Sequence, residues 1–106
     1  MTKVSKKNII ANAFSLQMLK NSSCSLSIIE ISEQEFNNIK STAISAVGHP
    51  DTARVLGVQF NRVSVQIGEG DTLYVAQLSG GRLSEGATEL PEGCVFKYYK
   101  ISVKDE

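Results

Sequence analysis

The sequence has no tryptophan, a single histidine, two cysteines and two prolines, and its eleven basic residues are matched by eleven acidic ones. Each shortage closes off a class of function. With no net charge there is no global field to draw in a long nucleic acid, so a chromatin-like or genome-coating role is disfavoured, although a local cluster of donors can still hold a small anion. Cys24 and Cys94 stand far apart in no recognisable pairing, and with one histidine they make no metal-ligand spacing. They read as buried thiols in strands, a pattern that suits a reducing cytoplasm. No metal or other cofactor is expected. Long apolar runs are also missing. The first seven residues carry Lys3, Lys6 and Lys7, read as a solvated arm, and Ile9-Ile10-Ala11 then stops at Asn12. That is too short for a signal-peptide core or a membrane span, so the expectation is a soluble, cytoplasmic protein with no membrane partner. There is no internal repeat and no low-complexity linker.

What is present suffices for one ordinary domain over residues 1–106, with 42% apolar and 21% charged residues and a core that needs no disulfide. Asn8 to Phe14 reads as a first strand, buried on both faces, and Ser15 to Lys20 as a short helical turn. Leu26 to Ile31 is a second strand. Ser32 then opens a capping box with Glu35, so a helix is expected from Glu33 to Thr42. Ala43 to Val47 fits either an extension of that helix or a short strand. After Gly48 and His49, Pro50 suits the first turn of a second helix running to about Leu56. Val63, Val65 and Ile67 alternate with polar residues as a half-buried strand does. With the turn Gly68 to Asp71 and the apolar stretch Thr72 to Leu78 they predict a hairpin. A glycine-rich loop, Ser79 to Gly93, precedes a last strand, Val95 to Val103. The fold class is therefore α/β: a single compact domain with a mixed β-sheet of five or six strands and two or three short helices.

Three loops carry the candidate chemistry: Asn12-Ala13-Phe14-Ser15, Gly48-His49-Pro50-Asp51, and Gly80-Gly81-Arg82-Leu83-Ser84-Glu85-Gly86. Binding residues gather in loops that follow strands of an α/β sheet. His49 carries the one side chain here whose ordinary pKa, about 6.5, suits proton transfer at neutral pH. Its bland alternative is a surface histidine capping a helix. Arg82 can grip a phosphate bidentately, with glycines that let the backbone approach, or it can form a surface salt bridge. Asn12 and Ser15 can donate to an anion or cap the short helix. Gln77 is a polar residue in an apolar run; it signals either a use at that end of the sheet or an edge strand. Asp51 reads as a first-turn carboxylate that suits the helix dipole.

Taken in order, Asn12-Ala13-Phe14-Ser15 with Met18-Leu19, Gly48-His49 with Thr52-Ala53, Asn61-Arg62, and Arg82-Leu83-x-Glu85-Gly86 resemble the viral anti-CRISPR ring nucleases that act against type III systems, a family with cellular and mobile-element members. The resemblance spans nearly the whole chain. It implies a homodimer that encloses cyclic tetra-adenylate (cA4) and cuts it without metal into short linear oligoadenylates ending in a 2′,3′-cyclic phosphate, which silences the nucleases the ring activates. It also implies the roles. His49, Arg82 and Glu85 are catalytic, with His49 the general acid and Arg82 stabilising charge on the phosphoryl oxygens, while Glu85 orients the 2′-hydroxyl or holds Arg82. Asn12, Ser15, Gly48, Gln77 and Arg82 bind substrate. Gly81 departs from the family pattern, since many relatives carry proline before the arginine. A ring of four adenylates brings four negative charges, and a two-fold dimer offers two copies of each donor, so no basic surface is needed. Two other readings remain: a protein that binds or sequesters a cyclic nucleotide without cutting it, and a ligand-free structural dimer of a mobile element.

Overall fold

Five strands and three short helical segments follow one another along the chain in the computed structural model, which describes residues 7–21 and 23–106. Lys3 and Lys6 of the expected basic arm lie outside the described residues. The strands are β1 (Asn8–Ala11), β2 (Cys24–Ile31), β3 (Ile44–Ser45), β4 (Thr72–Ser79) and β5 (Val95–Asp105). They form one sheet in the order β2-β5-β4-β1-β3. β1 runs parallel to β3 and β4, whereas β5 runs antiparallel to β4 and β2. The mixed α/β sheet expected from the sequence is the one observed.

Alternation along the strands divides the core between the two faces of this sheet. Ile9, Ala11, Leu73, Val75, Ile101 and Val103 are buried on one face beneath Phe14, Met18, Leu19 and Ile67. Ile10, Tyr74 and Ala76 lie on the other, covered by Phe36 of α1 (Glu33–Ile39) and by Ala53 and Leu56 of α2 (Pro50–Leu56). Tyr98 of β5 joins this second layer with its ring centroid 4.6 Å from that of Phe36.

The element ends follow local chemistry. Ser32 caps α1 by accepting from the Glu35 amide at 3.1 Å, as its sequence signature requires. The helix gives way at Ile39, three residues before the expected end, because the Ile39 carbonyl accepts from the amides of both Thr42 and Ala43 in a closing turn. That turn lets Ile44 and Ser45 pair beside β1, which decides the ambiguous stretch as a strand. α2 occupies the expected span, with Pro50 in its first turn and Gly57 ending it in the left-handed conformation at φ 76°. The helical turn after Ser15 is a 3-10 segment, Leu16–Met18.

Two expectations are corrected. Val63, Val65 and Ile67 form no strand and no hairpin with Thr72 to Leu78. Both edges of β4 are already filled, by β1 and β5, so the segment packs on a sheet face, and the stretch from Phe60 makes two isolated bridges outside the strands, Phe60 with Val47 and Ile67 with Leu19. The Gly68–Asp71 turn is nonetheless real. The Asp71 amide donates to the Gly68 carbonyl, and the buried Asp71 carboxylate accepts from the amides of Gly68 and Lys7. The cysteines are the second correction. Both are half-buried, and Cys94 precedes β5 instead of lying in it, packed beneath the start of the glycine-rich loop.

Candidate functional site at the carboxyl edge of the parallel strands

The register of the sheet brings the sequence-predicted residues to one edge. Ala11 pairs with Val75, so Asn12 leaves β1 beside the last turns of β4, where Gln77 lies. β3 ends at the same edge and runs on through Val47 to Gly48 and His49. β5 begins there, opposite Gln77 and Ser79, so the connection carrying Arg82 and Glu85 also spans this edge. First-strand pairing stops at Ala11, not Phe14, which frees Asn12 to Ser15 as loop.

Each residue can now be placed. His49 is the N-cap of α2, extended at φ −125° and ψ 117°, and exposed. Its Nδ1 accepts from the Thr52 amide at 3.3 Å and also lies 3.3 Å from Thr52 Oγ1. Thr52 thus presents a donor to a neutral ring and an acceptor to a charged one, and in both states the proton on Nε2 is left for another partner. The capping role anticipated as the bland alternative is present, and it engages Nδ1 of an exposed side chain.

Gln77 is exposed although β4 lies inside the sheet, so an edge position does not account for it. With Asn12, Ala13, Phe14, Ile28, Val75, Tyr99 and Ile101 it lines an open cavity of about 330 Å³. Asn12 also reaches a second groove with Ser15, Ala46 and Ser64. Ser15 occupies the N-cap of the 3-10 turn in a loose capping box with Met18, whose sulfur accepts from the Ser15 amide at 3.4 Å. Arg82 and Glu85 are exposed, and no hydrogen bond or ion pair among the described residues joins them to each other or to His49. Among the described residues Arg82 therefore forms no surface salt bridge. Gly81 adopts φ 156°, a backbone path closed to proline.

Three residues outside the predicted set shape this edge. Arg62 donates from Nε to the Gly48 carbonyl at 3.1 Å, and its guanidinium lies 5.7 Å from the centre of the Phe60 ring. This brings a cation beside His49. Asp51 and Arg54 pair at 2.9 Å and contact the glycine-rich loop at Gly86 and Ala87. The Arg54 hydrogen bond, and then the Gly86 amide, hold the Asp51 carboxyl below its ordinary range. The spacing of Asp51 and Arg54 on one helix face was visible in the sequence, whereas their partners across the fold were not.

A sequence model of the family described as STIV B116-like matches residues 8–99. Among solved structures, B116 of Sulfolobus turreted icosahedral virus superposes with a TM-score of 0.72 at 26% identity, covering 91% of this chain and 98% of that one. No curated protein matches. No helix among the described residues is long and apolar enough to cross a membrane.

Proposed function

The chain belongs to the STIV B116-like family, matched over residues 8–99, and from that premise and the chemistry of its carboxyl edge we propose that it is a metal-independent ring nuclease acting on cyclic tetra-adenylate. The observation that carries the reading is the gathering at one sheet edge of a histidine whose Nε2 is left for another partner, an arginine, a carboxylate and three polar side chains, Asn12, Ser15 and Gln77. Of these, Asn12 and Gln77 line an open concavity, and polar groups around a concavity are a usual signature of a ligand site.

The reaction needs few parts. A ribose 2′-hydroxyl attacks its own phosphate in line, the P–O bond to the 5′-oxygen breaks, and the product ends in a 2′,3′-cyclic phosphate. His49, as the imidazolium, gives its Nε2 proton to the departing 5′-oxygen, and the proton remaining on Nδ1 faces Thr52 Oγ1. Such a general acid contributes about 10²–10⁴-fold. Arg82 stabilises charge on the phosphoryl oxygens, and Glu85 orients the 2′-hydroxyl or holds Arg82, the 2′-hydroxyl proton passing to solvent water. Asn12, Ser15, Gly48 and Gln77 hold the ring.

One chain supplies an open half of such a site. The cavities here are shallow and neither includes His49. A homodimer in which a second copy doubles every donor fits a ligand with four-fold chemical repetition. In a cell the consequence is removal of the second messenger that drives type III CRISPR nucleases.

The test is incubation of the purified protein with cyclic tetra-adenylate and a chelator, followed by chromatography. Linear products ending in a cyclic phosphate are expected. An intact ring that co-elutes with the protein would replace the nuclease by a binding protein, and an intact, unbound ring would overturn both.

A further inference from the structure

We propose that Asp51 and Arg54 form a latch that fixes the Arg82–Glu85 loop relative to His49, making both of them positioning residues for the site. The geometric part stands on the structure alone, and the catalytic part rests on the ring-nuclease reading above.

The connection between β4 and β5, residues 80–94, contains no regular secondary structure. A stretch of that length has many accessible conformations, and Arg82 and Glu85 are exposed on it with no side-chain partner among the described residues. Near its centre, however, the Gly86 amide donates to Asp51 Oδ1 at 3.1 Å and the Ala87 carbonyl accepts from Arg54 Nη1 at 3.1 Å. Arg54 Nη1 also donates to Asp51 Oδ1 at 2.9 Å. Two side-chain atoms and two backbone atoms therefore close a small ring. Among the described residues these are the only hydrogen bonds that join residues 82–90 to another element.

The latch sits where it can matter. Asp51 and Arg54 are three apart and share a face of α2, the helix that His49 caps. Gly86 follows Glu85 directly and is four residues from Arg82. The helix thus sets the place of the histidine, and through the latch it sets the place of the loop. An isolated exposed ion pair contributes little, but this one spends both partners on backbone groups 33 and 35 residues away. Hydrogen bonds with charged partners are roughly twice as strong as neutral ones. The depressed Asp51 carboxyl agrees with an anion that is held by donors on both sides.

Trypsin cleavage after Arg82 reads the loop without any substrate. Asp51→Ala and Arg54→Ala should each speed that cut about tenfold, with other tryptic sites and the melting temperature little changed. Asp51→Asn, which keeps an acceptor for the Gly86 amide, should retain most of the protection. Turnover of cyclic tetra-adenylate should fall about tenfold or more in Asp51→Ala, since displacement by about 1 Å at a catalytic group can cost roughly 10²-fold. In an Arg82→Ala background the same substitution should cost less than in the wild type, because part of its effect passes through Arg82 and the rest through Glu85. Unchanged cleavage after Arg82, or general loss of protection across α2, overturns the latch. A loosened loop with unchanged turnover, or full additivity with Arg82→Ala, overturns the positioning role while leaving the nuclease in place. If the wild-type protein does not cut the ring, the function proposed above fails, and cleavage after Arg82 decides the latch by itself.

Discussion

His49 caps α2 in the structure and is proposed above as a general acid, and a pair of substitutions separates the two roles. As N-cap of α2 it accepts the Thr52 amide through Nδ1 at 3.3 Å, a long bond on an exposed side chain. It belongs at the weak end of the cap range, about 0.5 kcal/mol. For a chain of 106 residues that corresponds to about 2 °C in melting temperature. The proton on Nε2, by contrast, is worth about 10²–10⁴ in rate if it serves as general acid, or about 3–5 kcal/mol of barrier. The two roles thus differ several-fold in energy and involve different nitrogens.

His49→Ala removes both, and His49→Asn removes only the acid, since asparagine is among the best N-caps. The alanine variant should melt about 2 °C low, and the asparagine variant at or slightly above wild type. Both should cut cyclic tetra-adenylate at least about 100-fold more slowly, measured by chromatography under single-turnover conditions, while still binding the ring. Cleavage by His49→Asn within about tenfold of wild type would leave the histidine as a cap and refute its proposed chemistry.

Arg82→Ala should weaken ring binding in calorimetry as well as slow the cut, because a bidentate phosphate contact acts in ground and transition states; unchanged affinity would remove that contact. Gly80→Ala should destabilise by more than about 1 kcal/mol, because Gly80 sits at φ 95° and an added Cβ would press on the Gly93 carbonyl; an unchanged melting temperature would show that the loop can close another way. Asp51 is held below its ordinary value of 3.8 by Arg54 and then by the Gly86 amide. The latch is therefore fully made above that value and lost as pH falls through the lowered one. The Gly86 amide resonance followed by NMR should titrate with a midpoint below 3.8, and a midpoint at or above it would show that the carboxylate gains nothing from its partners.

The elements that were legible in the sequence are those fixed by neighbours along the chain. The Ser32–Glu35 signature, Pro50 after His49 and the apolar run at Thr72 each state their structure within a few residues. Errors arose where a distant partner decides. Val63, Val65 and Ile67 have the alternation of a strand, but a strand needs an open edge, and β1 and β5 had already taken both sides of β4. The alternation that is real covers Val65 and Ile67, turned into the core from a segment lying across a sheet face, with Ser64 and Gln66 to solvent; Val63 is exposed and takes no part in it. Periodicity reports burial on alternate sides and does not identify the partner.

Gln77 shows the same limit from the other direction. In the sequence, a polar residue late in an apolar strand fits an edge position as well as a binding role. Topology removes the first explanation: β4 has a neighbour on each side, and its buried run ends at Ala76, one residue earlier. A side chain at that point has left the core but has not left the sheet, and Asn12, the first residue after the adjacent strand β1, lines the same cavity. Parallel pairing of β1 with β4 is what makes these two residues neighbours, although 65 positions separate them in the sequence. An antiparallel pairing would have sent them to opposite ends of the sheet. The direction of one strand pair therefore determines whether the predicted residues can serve one ligand, and no local pattern encodes that direction.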